Sequence, residues 1–450
     1  MTYTIEKVTT LIGARRYGDR DGNVGFILTD SRSLCFPEET LFFALKSERN
    51  DGHNYIPELY RRGVGNFVVS QVPKGYASDY PEANFLKVVN TLEALQRLAE
   101  RHRDEFNIPI VGITGSNGKT MVKEWLHQLL SPSMFVTRSP RSYNSQIGVP
   151  LSVWLLNEQT QVGVFEAGIS QPGEMLALRD IIQPTIAVLT YLGAAHQENF
   201  ESLEAKCREK IILFHDAETI VYNGDDKTVS GVVNEYKDYK GEKLFWSFRD
   251  TKAPFFVKNV EKKGNLSIIT YIYKGEEDSY SLPFIDEASV TNSIIAAVVS
   301  RRLGLSAEEL DKRMALLEPV AMRLEVKEGQ HGCTLINDSY NSDINSLDIA
   351  LDFMSRRPDH KGRRHTLILS DIFQSGESAK DLYHEVSDLC RKRGVVKFIG
   401  IGPQLCSQSD EIQISEKFFF SNVEEFIDSE VFKSLRDEVI LLKGARQFGF

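Results

Sequence analysis

A glycine-rich turn between an apolar segment and a helical segment places the strongest constraint on how this chain folds. The segment from Ile108 to Thr114 is rich in apolar and β-branched residues and leads into Thr-Gly-Ser-Asn-Gly-Lys-Thr at positions 114–120. The residues from Met121 to Leu130 then have helical spacing of apolar side chains. A strand, a glycine turn and a helix in this order cradle nucleotide phosphates, because backbone N–H groups at a helix N-terminus face the anion.

Each residue type in this turn has an expected role. Gly115, Asn117 and Gly118 would bring the backbone close to the phosphates. Lys119 would reach the outer phosphates, and the Thr120 hydroxyl would hold Mg²⁺. The sequence lacks the first glycine of the common GxxxxGK[ST] pattern, so this is a narrower variant. An accidental glycine turn is the alternative, and the flanking strand and helix argue against it.

Strand-like and helical segments alternate from Asn107 onward, which predicts an α/β protein with parallel sheets. The predicted strands are Ile108–Thr114, Val162–Gly168, Thr185–Leu192, Thr219–Asn223, Thr334–Asp338, Thr366–Asp371, Val396–Gly400 and Glu438–Lys443. Short alternating segments within Phe255–Leu282 predict antiparallel hairpins instead. The predicted helices include Thr91–Asp104, Val290–Leu303 and Ala307–Leu317.

These changes of pattern divide the chain into three predicted domains. A mixed unit ends with the helix near Asp104, and the Glu318-Pro319 step closes the hairpin and helix block. We therefore predict domains at 1–105, 106–318 and 319–450, which is the number expected for 450 residues.

Composition excludes several classes of partner. The hydrophobic fraction of 42% suffices for real cores, and the net charge of −10 argues against nucleic acid or an anionic membrane surface. The five cysteines are scattered, which suits a reducing compartment. The N-terminus lacks an apolar signal core and no uncharged apolar run reaches 18 residues, so we expect a cytoplasmic protein without membrane insertion.

Two further strand ends carry residues that suit a metal site. Glu166 stands at the carboxyl end of an apolar strand, where ligands bind in open parallel sheets. His196 follows the predicted strand Thr185–Leu192. Taken alone, a strand-end glutamate such as Glu166 is more often a solvated carboxylate, and a lone histidine such as His196 is more often a hydrogen-bonded structural residue. Their position after strands beside one phosphate loop favours a shared metal site.

The order of motifs along the chain resembles the Mur ligases. The motifs of the predicted central domain are TGxNGKT, Tyr143-Asn144, Ile147-Gly148-Val149-Pro150, Glu166 and Leu192-Gly193-x-x-His196-x-x-x-Phe200. The N-terminal segments Thr29-Asp30-Ser31-Arg32, Leu41–Lys46 and Asp51-Gly52-His53 look like the family's nucleotide-sugar domain. Asp338-Ser339-Tyr340-Asn341 looks like the DxYN signature of the members that add D-alanyl-D-alanine, and Lys443-Gly444-Ala445-Arg446 like the closing KGxR.

The resemblance implies a three-domain architecture and a reaction. The first domain would bind the UDP end of the substrate, the central P-loop domain would bind ATP, and the C-terminal domain would be Rossmann-like. ATP would phosphorylate the terminal carboxylate of UDP-N-acetylmuramoyl-tripeptide to an acyl phosphate. The amine of D-alanyl-D-alanine would then displace phosphate, in cytoplasmic peptidoglycan precursor synthesis.

The resemblance also implies roles for individual residues. Mg²⁺, expected as two ions, would be held by Thr120, Glu166, His196 and a carbamylated Lys210. Spacing alone favours reading Lys210 as a surface lysine of an amphipathic helix. Asn292 would contact adenine, unless it is a simple helix-start residue. The remaining expected contacts are Arg323 and Asn341 to ATP, and Ser31, Arg32, Tyr143, Asn144, Asp338, Tyr340, Lys443 and Arg446 to substrates. A turn-forming role is the alternative for Asp338 and Asn341.

Several positions depart from the family pattern. Ser142, Ser145 and Gln146 stand where the family has Asn, Asn and Glu, in a loop expected to contact substrate. The remaining departures are Ala288, Ser289, Ile344 and Ser370. They put detailed contacts to adenine and substrate in doubt, while Lys119, Thr120, Glu166, His196 and Lys210 are retained.

Two other functions stay open at the level of sequence. One is another Mur-type amide ligase, against which the N-terminal motifs and DxYN argue. The other is an inactive scaffold that binds nucleotide and precursor. The chain stops soon after KGxR. In some bacteria, ligases of this divergent type are fused to an alanine racemase, and this chain resembles that ligase half. We therefore expect an alanine racemase domain to be fused to it in the full-length protein.

Overall fold

A computed structural model describes residues 1–48, 50–193, 197–237, 239–320, 324–339, 343–356, 362–372 and 378–444. Its helices are Ile5–Ile12, Ile56–Arg61, Tyr76–Asp79, Thr91–Arg103, Lys119–Leu130, Gly148–Val153, Glu174–Ile182, Leu203–Ile211, Lys227–Glu235, Glu287–Arg302, Ala307–Met314, Ile344–Arg356, Ala379–Lys392, Pro403–Ser407, Val423–Asp428 and Glu430–Lys433. Within these ranges, no helix is both long and apolar enough to cross a membrane.

The first large sheet belongs to the N-terminal segment. Its spatial order is Arg15–Tyr17, Asn84–Lys87, Asn66–Val69, Thr40–Phe43 and Phe26–Leu28. The first pair is antiparallel and the other pairs are parallel. Alternate residues enter opposite cores, because side chains of a strand point to alternate faces. Leu41 and Phe43 pack in one cluster, and Phe42 packs in the other.

The second large sheet contains the strand that leads into the phosphate loop. Its spatial order is Glu242–Lys243, Thr219–Val221, Ile186–Leu189, Ile110–Thr114, Val162–Glu166 and Val136–Arg138. The recorded pairings are parallel, as predicted. The observed strands are shorter than the predicted ones: Ile110–Thr114 begins two residues later, and the other three predicted strands end two or three residues earlier.

The predicted antiparallel block is confirmed. Phe255–Lys263, Leu266–Tyr273 and Glu276–Leu282 form consecutive antiparallel pairs, and Trp246–Ser247 joins the sheet in parallel. The helix that follows begins at Glu287, three residues before the prediction. The Asp286 side chain accepts a hydrogen bond from the Ser289 N–H at 2.7 Å and so caps this earlier start.

The C-terminal sheet has the order Glu325–Glu328, Thr334–Asp338, Glu438–Lys443, Arg364–Ser370, Lys397–Ile401 and Glu416–Phe420. Its first pair is antiparallel, and the other pairs are parallel. Two apolar clusters lie around it, one containing Leu367 and Leu369 and the other containing Ile368. This alternation along one strand shows that the sheet is covered on both faces.

By residue contacts the chain divides into two compact units. One contains Met1–Gly112, Met134–Ile169 and Gly173–Thr185, and the other contains Ile113–Ser133, Ser170–Pro172 and Ile186–Phe450. The three domains expected at 1–105, 106–318 and 319–450 stay a prediction.

A buried histidine joins three parts of the first unit. His102 is 1% exposed. Its Nε2 lies 3.1 Å from the carbonyl oxygen of Leu156, so this nitrogen donates. Its Nδ1 therefore accepts a hydrogen bond from the Tyr3 hydroxyl, at 2.8 Å. Burial lowers the pKa of His102 from 6.5 to about 4, because the neutral ring suits this site.

We predict that this histidine makes stability fall in acid. The folded state takes up the His102 proton only near pH 4, whereas the unfolded chain takes it up near pH 6.5. The contribution is thus complete above about pH 6.5 and is lost as the pH falls toward 4, by at most about 3 kcal/mol. Urea unfolding between pH 7 and pH 4 measures it. His102→Gln should flatten this dependence, whereas the control His215→Gln at an exposed site should not.

Candidate nucleotide and metal site

The predicted strand, turn and helix are present at the phosphate loop. The strand ends at Thr114, and the helix Lys119–Leu130 begins two residues earlier than predicted. Gly115 has φ +144° and Gly118 has φ +88°, which L side chains rarely adopt. A Cβ on Gly115 would lie 2.1 Å from Thr190 Oγ1. Gly115 is therefore required both by its backbone conformation and by its close approach to Thr190.

Hydrogen bonds fasten this loop to the segment that follows the strand Ile186–Leu189. The Ser116 N–H donates to the Tyr191 carbonyl at 2.6 Å. The Ser116 hydroxyl donates to the Gly193 carbonyl and accepts from the Gly193 N–H, both at 3.0 Å. The Thr190 hydroxyl donates to the Asn117 carbonyl at 2.5 Å. The loop geometry is thus fixed by the neighbouring chain segment as well as by its own glycines.

Lys119 and Thr120 are the first two residues of the helix. The Lys119 ammonium group donates to the carbonyls of Gly115 at 2.7 Å and Ser116 at 3.2 Å. Its charge therefore lies over the loop, where a phosphate group would be held.

Two asparagines adjoin this loop. The Asn117 Nδ2 is buried and has no hydrogen-bond partner among the residues that the structure describes. An unused buried donor costs about 1–3 kcal/mol, so this amide fits an acceptor-rich ligand such as a phosphate. Asn292 lies in the second turn of its helix, and Asp286 is the N-cap, so the helix-start reading of Asn292 is wrong. A Cβ on Gly118 would lie 2.5 Å from Asn292 Oδ1, which shows how closely Asn292 packs against the loop.

Lys210 is buried, and its reading as a surface lysine is wrong. It is 3% exposed on the helix Leu203–Ile211, and its Nζ lies 3.4 Å from the Gly115 carbonyl oxygen. Burial, with repulsion from Lys119 and Lys206, holds the pKa of Lys210 well below its usual range. A lowered pKa favours the uncharged amine, and the uncharged amine is the form that adds CO₂.

Lys206 is a residue that sequence reasoning missed. It precedes Lys210 by one helical turn and is 1% exposed, with its Nζ 2.5 Å from the Gly193 carbonyl oxygen. The signal was the i, i+4 spacing of two lysines, which puts both on the same helix face. Lys210 alone was weighed, as a surface lysine of an amphipathic helix, and Lys206 was not considered.

Glu166 and Asn144 come together in the first unit. Glu166 is the last residue of its strand and is fully buried, so the solvated reading is wrong. Its backbone N–H donates to the Ser139 hydroxyl at 3.1 Å. The Asn144 amide donates to Glu166 Oε2 at 3.5 Å, and the neighbouring Tyr143 remains 41% exposed. A buried carboxylate at the end of a strand is well suited to bind a metal cation.

One departure from the family pattern has a structural explanation. The Gln146 amide oxygen accepts from Gln96 Nε2 at 2.9 Å. The Gln146 amide nitrogen donates to the Glu174 carbonyl, also at 2.9 Å. A glutamate at this position could not make that second bond, because a carboxylate has no N–H. Gln146 thus links two helices at the base of the loop that carries Tyr143 and Asn144.

The predicted substrate residues of the N-terminal segment lie on a short turn. The Asp30 side chain caps the 3₁₀ turn Ser31–Ser33. The Arg32 guanidinium, 87% exposed, binds Asp30 through Nη2 at 2.6 Å. Ser31 is buried, and its carbonyl accepts from Arg62 Nη1 at 2.9 Å.

Two predicted substrate residues of the C-terminal segment are paired with each other. Lys443 Nζ lies 2.7 Å from Asp338 Oδ2, and both side chains are buried at the ends of adjacent parallel strands. Asp338 is thus held by a buried ion pair, and a purely turn-forming role does not describe it. The remaining predicted site residues lie outside the described residues: His196, Arg323, Tyr340, Asn341 and Arg446.

Comparison with a protein family and with solved structures indicates the class of protein to which this chain is similar. Residues 113–300 match the Mur ligase middle domain, and this match contains Lys119, Glu166, Lys210 and Asn292. The structure of Acinetobacter baumannii MurF superposes with a TM-score of 0.84 at 21% identity, covering 100% of this chain and 97% of that one. Thermotoga maritima MurF in complex with ADP superposes with a TM-score of 0.77 at 23% identity, over 94% of each chain. The α/β fold predicted from the sequence, that of the three-domain Mur ligases, is confirmed, while the predicted domain bounds stay a prediction.

Two relatives that are similar in sequence over most of this chain are ligases with the same name. UDP-N-acetylmuramoyl-tripeptide--D-alanyl-D-alanine ligase of Bacillus subtilis is 28% identical, over 80% of this chain and 76% of the relative. The ligase of the same name from Borreliella burgdorferi is 28% identical, over 94% and 92%. The resemblance to the Mur ligases that the sequence motifs indicated is confirmed.

We predict that Gly115→Ala impairs the loop and the fold near it. The strained backbone and the clash with Thr190 should lower the melting temperature by on the order of 5 °C or more and abolish measurable ADP binding. The matched control is Gly231→Ala, because Gly231 lies in a helix with open space around it. That variant should melt no lower than the wild type. Differential scanning calorimetry and titration calorimetry give both readings, and a Gly115→Ala protein that binds ADP normally would refute the prediction.

Proposed function

We propose that this chain is an ATP-dependent ligase that joins D-alanyl-D-alanine to UDP-N-acetylmuramoyl-tripeptide through an acyl phosphate. The observation that carries the proposal is the phosphate loop, with Lys119 and the buried Lys210 both bonded to the Gly115 carbonyl. The named relatives, similar over most of the chain, supply the substrates.

The described residues suit the first chemical step. The tripeptide carboxylate attacks the γ-phosphorus of ATP, and the bond between that phosphorus and the ADP oxygen breaks. This step needs positioning and charge neutralisation more than a covalent partner. Lys119 supplies a positive charge at the loop, and the backbone N–H groups at the helix start face the phosphates.

The second step is acyl transfer. The free amine of D-alanyl-D-alanine attacks the acyl carbon, the C–O bond to phosphate breaks and inorganic phosphate leaves. Tyr143 and Asn144 adjoin Glu166 on a loop that Gln146 holds at its base, and they are our proposed contacts to the muramoyl peptide. Arg446 would bind the dipeptide carboxylate, and Lys443 would hold Asp338 in place.

We propose Mg²⁺ as the metal, because Glu166 offers a buried carboxylate at the end of a strand. Thr120, Glu166 and His196 would hold it, together with Lys210 as its carbamate. When bound, Mg²⁺ neutralises phosphate charge and orients the reacting oxygens. The neutral amine of Lys210 is the form that reacts with CO₂, and the product is an anionic oxygen ligand. The cytoplasmic location and the fusion to an alanine racemase domain stay predictions.

The expected product can be detected directly. The chain, ATP, Mg²⁺, D-alanyl-D-alanine and UDP-MurNAc-tripeptide ending in either diaminopimelate or lysine should yield a species heavier by one dipeptide less water, with equal phosphate release. Lys119→Ala should lower the rate roughly a hundredfold or more. Lys227→Ala is the matched control, because Lys227 is also the first residue of a helix, and it should leave the rate unchanged.

Three outcomes would contradict the proposal. Turnover by Lys119→Ala at the wild-type rate would remove Lys119 from the site. ATP binding without any product would favour the inactive binding protein. A product formed with another amine or nucleotide-sugar would favour a different Mur-type ligase.

We predict that Lys210 carries a carbamate in protein equilibrated with ¹³C-labelled bicarbonate. The buried amine, whose pKa is lowered, should give a carbamate carbon signal in the NMR spectrum. Lys210→Arg should lack this signal because a guanidinium does not add CO₂. The Lys206→Arg protein serves as a comparison, since it retains Lys210. An identical spectrum for the wild type and Lys210→Arg would exclude the modification.

A further inference from the structure

Lys206 is a buried cation that the proposed chemistry does not use. Its side chain is 1% exposed, and its ammonium group donates to the Gly193 carbonyl at 2.5 Å. Throughout the described part of the chain, no carboxylate oxygen forms an ion pair with it within 4.0 Å. Asp343 and Glu198 attract it only at longer range, and Lys119 repels it.

The position of Lys206 connects it to the phosphate loop. The Gly193 residue that it holds also exchanges two hydrogen bonds with Ser116. The Ser116 carbonyl in turn accepts from Lys119 Nζ at 3.2 Å. Lys206 is therefore linked to Lys119 through Gly193 and the loop residue Ser116.

The charge of Lys206 is costly where it lies. Burial lowers its pKa from 10.5 to about 8, with repulsion from Lys119 adding to that effect. The fold has little need of the Lys206 hydrogen bond, because the Gly193 carbonyl already accepts a hydrogen bond from the Ser116 hydroxyl. An apolar side chain of similar length would avoid the desolvation cost.

We propose that Lys206 is a positioning residue for the nucleotide phosphates: its positive charge, fixed by the Gly193 carbonyl, adds to that of Lys119 and attracts the triphosphate into the loop. The inference rests on the proposed function, since it needs a nucleotide at this loop. It adds to that function a residue which acts from behind the loop without touching the ligand.

Binding of a non-hydrolysable ATP analogue tests this inference. Lys206→Met should weaken binding about tenfold in titration calorimetry, because a charge beyond direct contact still contributes in a partly desolvated site. The same variant should melt at or above the wild-type temperature, because a buried charge is removed. Lys206→Gln keeps a donor for the Gly193 carbonyl without the charge, and it should bind as weakly as Lys206→Met. Lys206→Arg keeps the charge and should bind better than both.

The matched control is another buried lysine of the same unit. Lys397 is ion-paired with Glu438 at 2.5 Å in the C-terminal sheet. Lys397→Met should lower the melting temperature and leave analogue binding unchanged. Wild-type affinity in Lys206→Met, or full affinity in Lys206→Gln, would overturn the inference. A wild-type protein that binds no nucleotide would instead overturn the proposed function.

Discussion

The close approach between the phosphate loop and the segment Thr190–Gly193 is the constraint on which the site depends. Gly115 passes so near Thr190 that no side chain fits, and Ser116 and Asn117 bond to the same segment. These contacts determine where the helix begins and hence where Lys119 and Thr120 lie. Glycine permits the positive φ at Gly115 and Gly118 but also many other conformations, so the bonds to Thr190–Gly193 are what select this one.

The same contacts explain why two further lysines are buried at this point. Lys210 reaches the Gly115 carbonyl and Lys206 reaches the Gly193 carbonyl, so both use backbone oxygens on either side of the close approach. Carbonyl oxygens reduce the cost of burying ammonium groups, but they do not cancel their charge. A site built in this way is selective for anions. Burial lowers the pKa of Lys210 and so favours the amine form that adds CO₂, while Lys119 and Lys206 supply positive charge near the loop.

The sequence predicted those features that depend on local pattern. Thr334–Asp338 and Glu438–Lys443 form strands within their predicted bounds, because β-branched and apolar runs between polar residues define central strands. The glycine turn was recognised because positive φ needs glycine. Burial of Lys210 and Lys206 was not predicted, since it depends on which helix face packs against the loop. The pairing of Lys443 with Asp338 was missed for the same reason: strands 105 residues apart become neighbours only in the folded sheet.

Departures from a family pattern gain meaning once their contacts are known. By the family pattern, Gln146 puts a substrate contact in doubt, yet its amide bonds to Gln96 and to the Glu174 carbonyl. A carboxylate could accept the bond from Gln96, but only an amide can also donate to the Glu174 carbonyl. The replacement of glutamate by Gln146 is therefore explained by its contacts with Gln96 and with the Glu174 carbonyl. These contacts support the loop that carries Tyr143 and Asn144. Lys119, which would meet phosphate, and Lys210, which would hold Mg²⁺ as its carbamate, both contact a backbone oxygen of the loop, and such contacts tolerate changes in neighbouring side chains. A divergent chain can thus replace its supporting contacts and keep the groups that its proposed reaction needs.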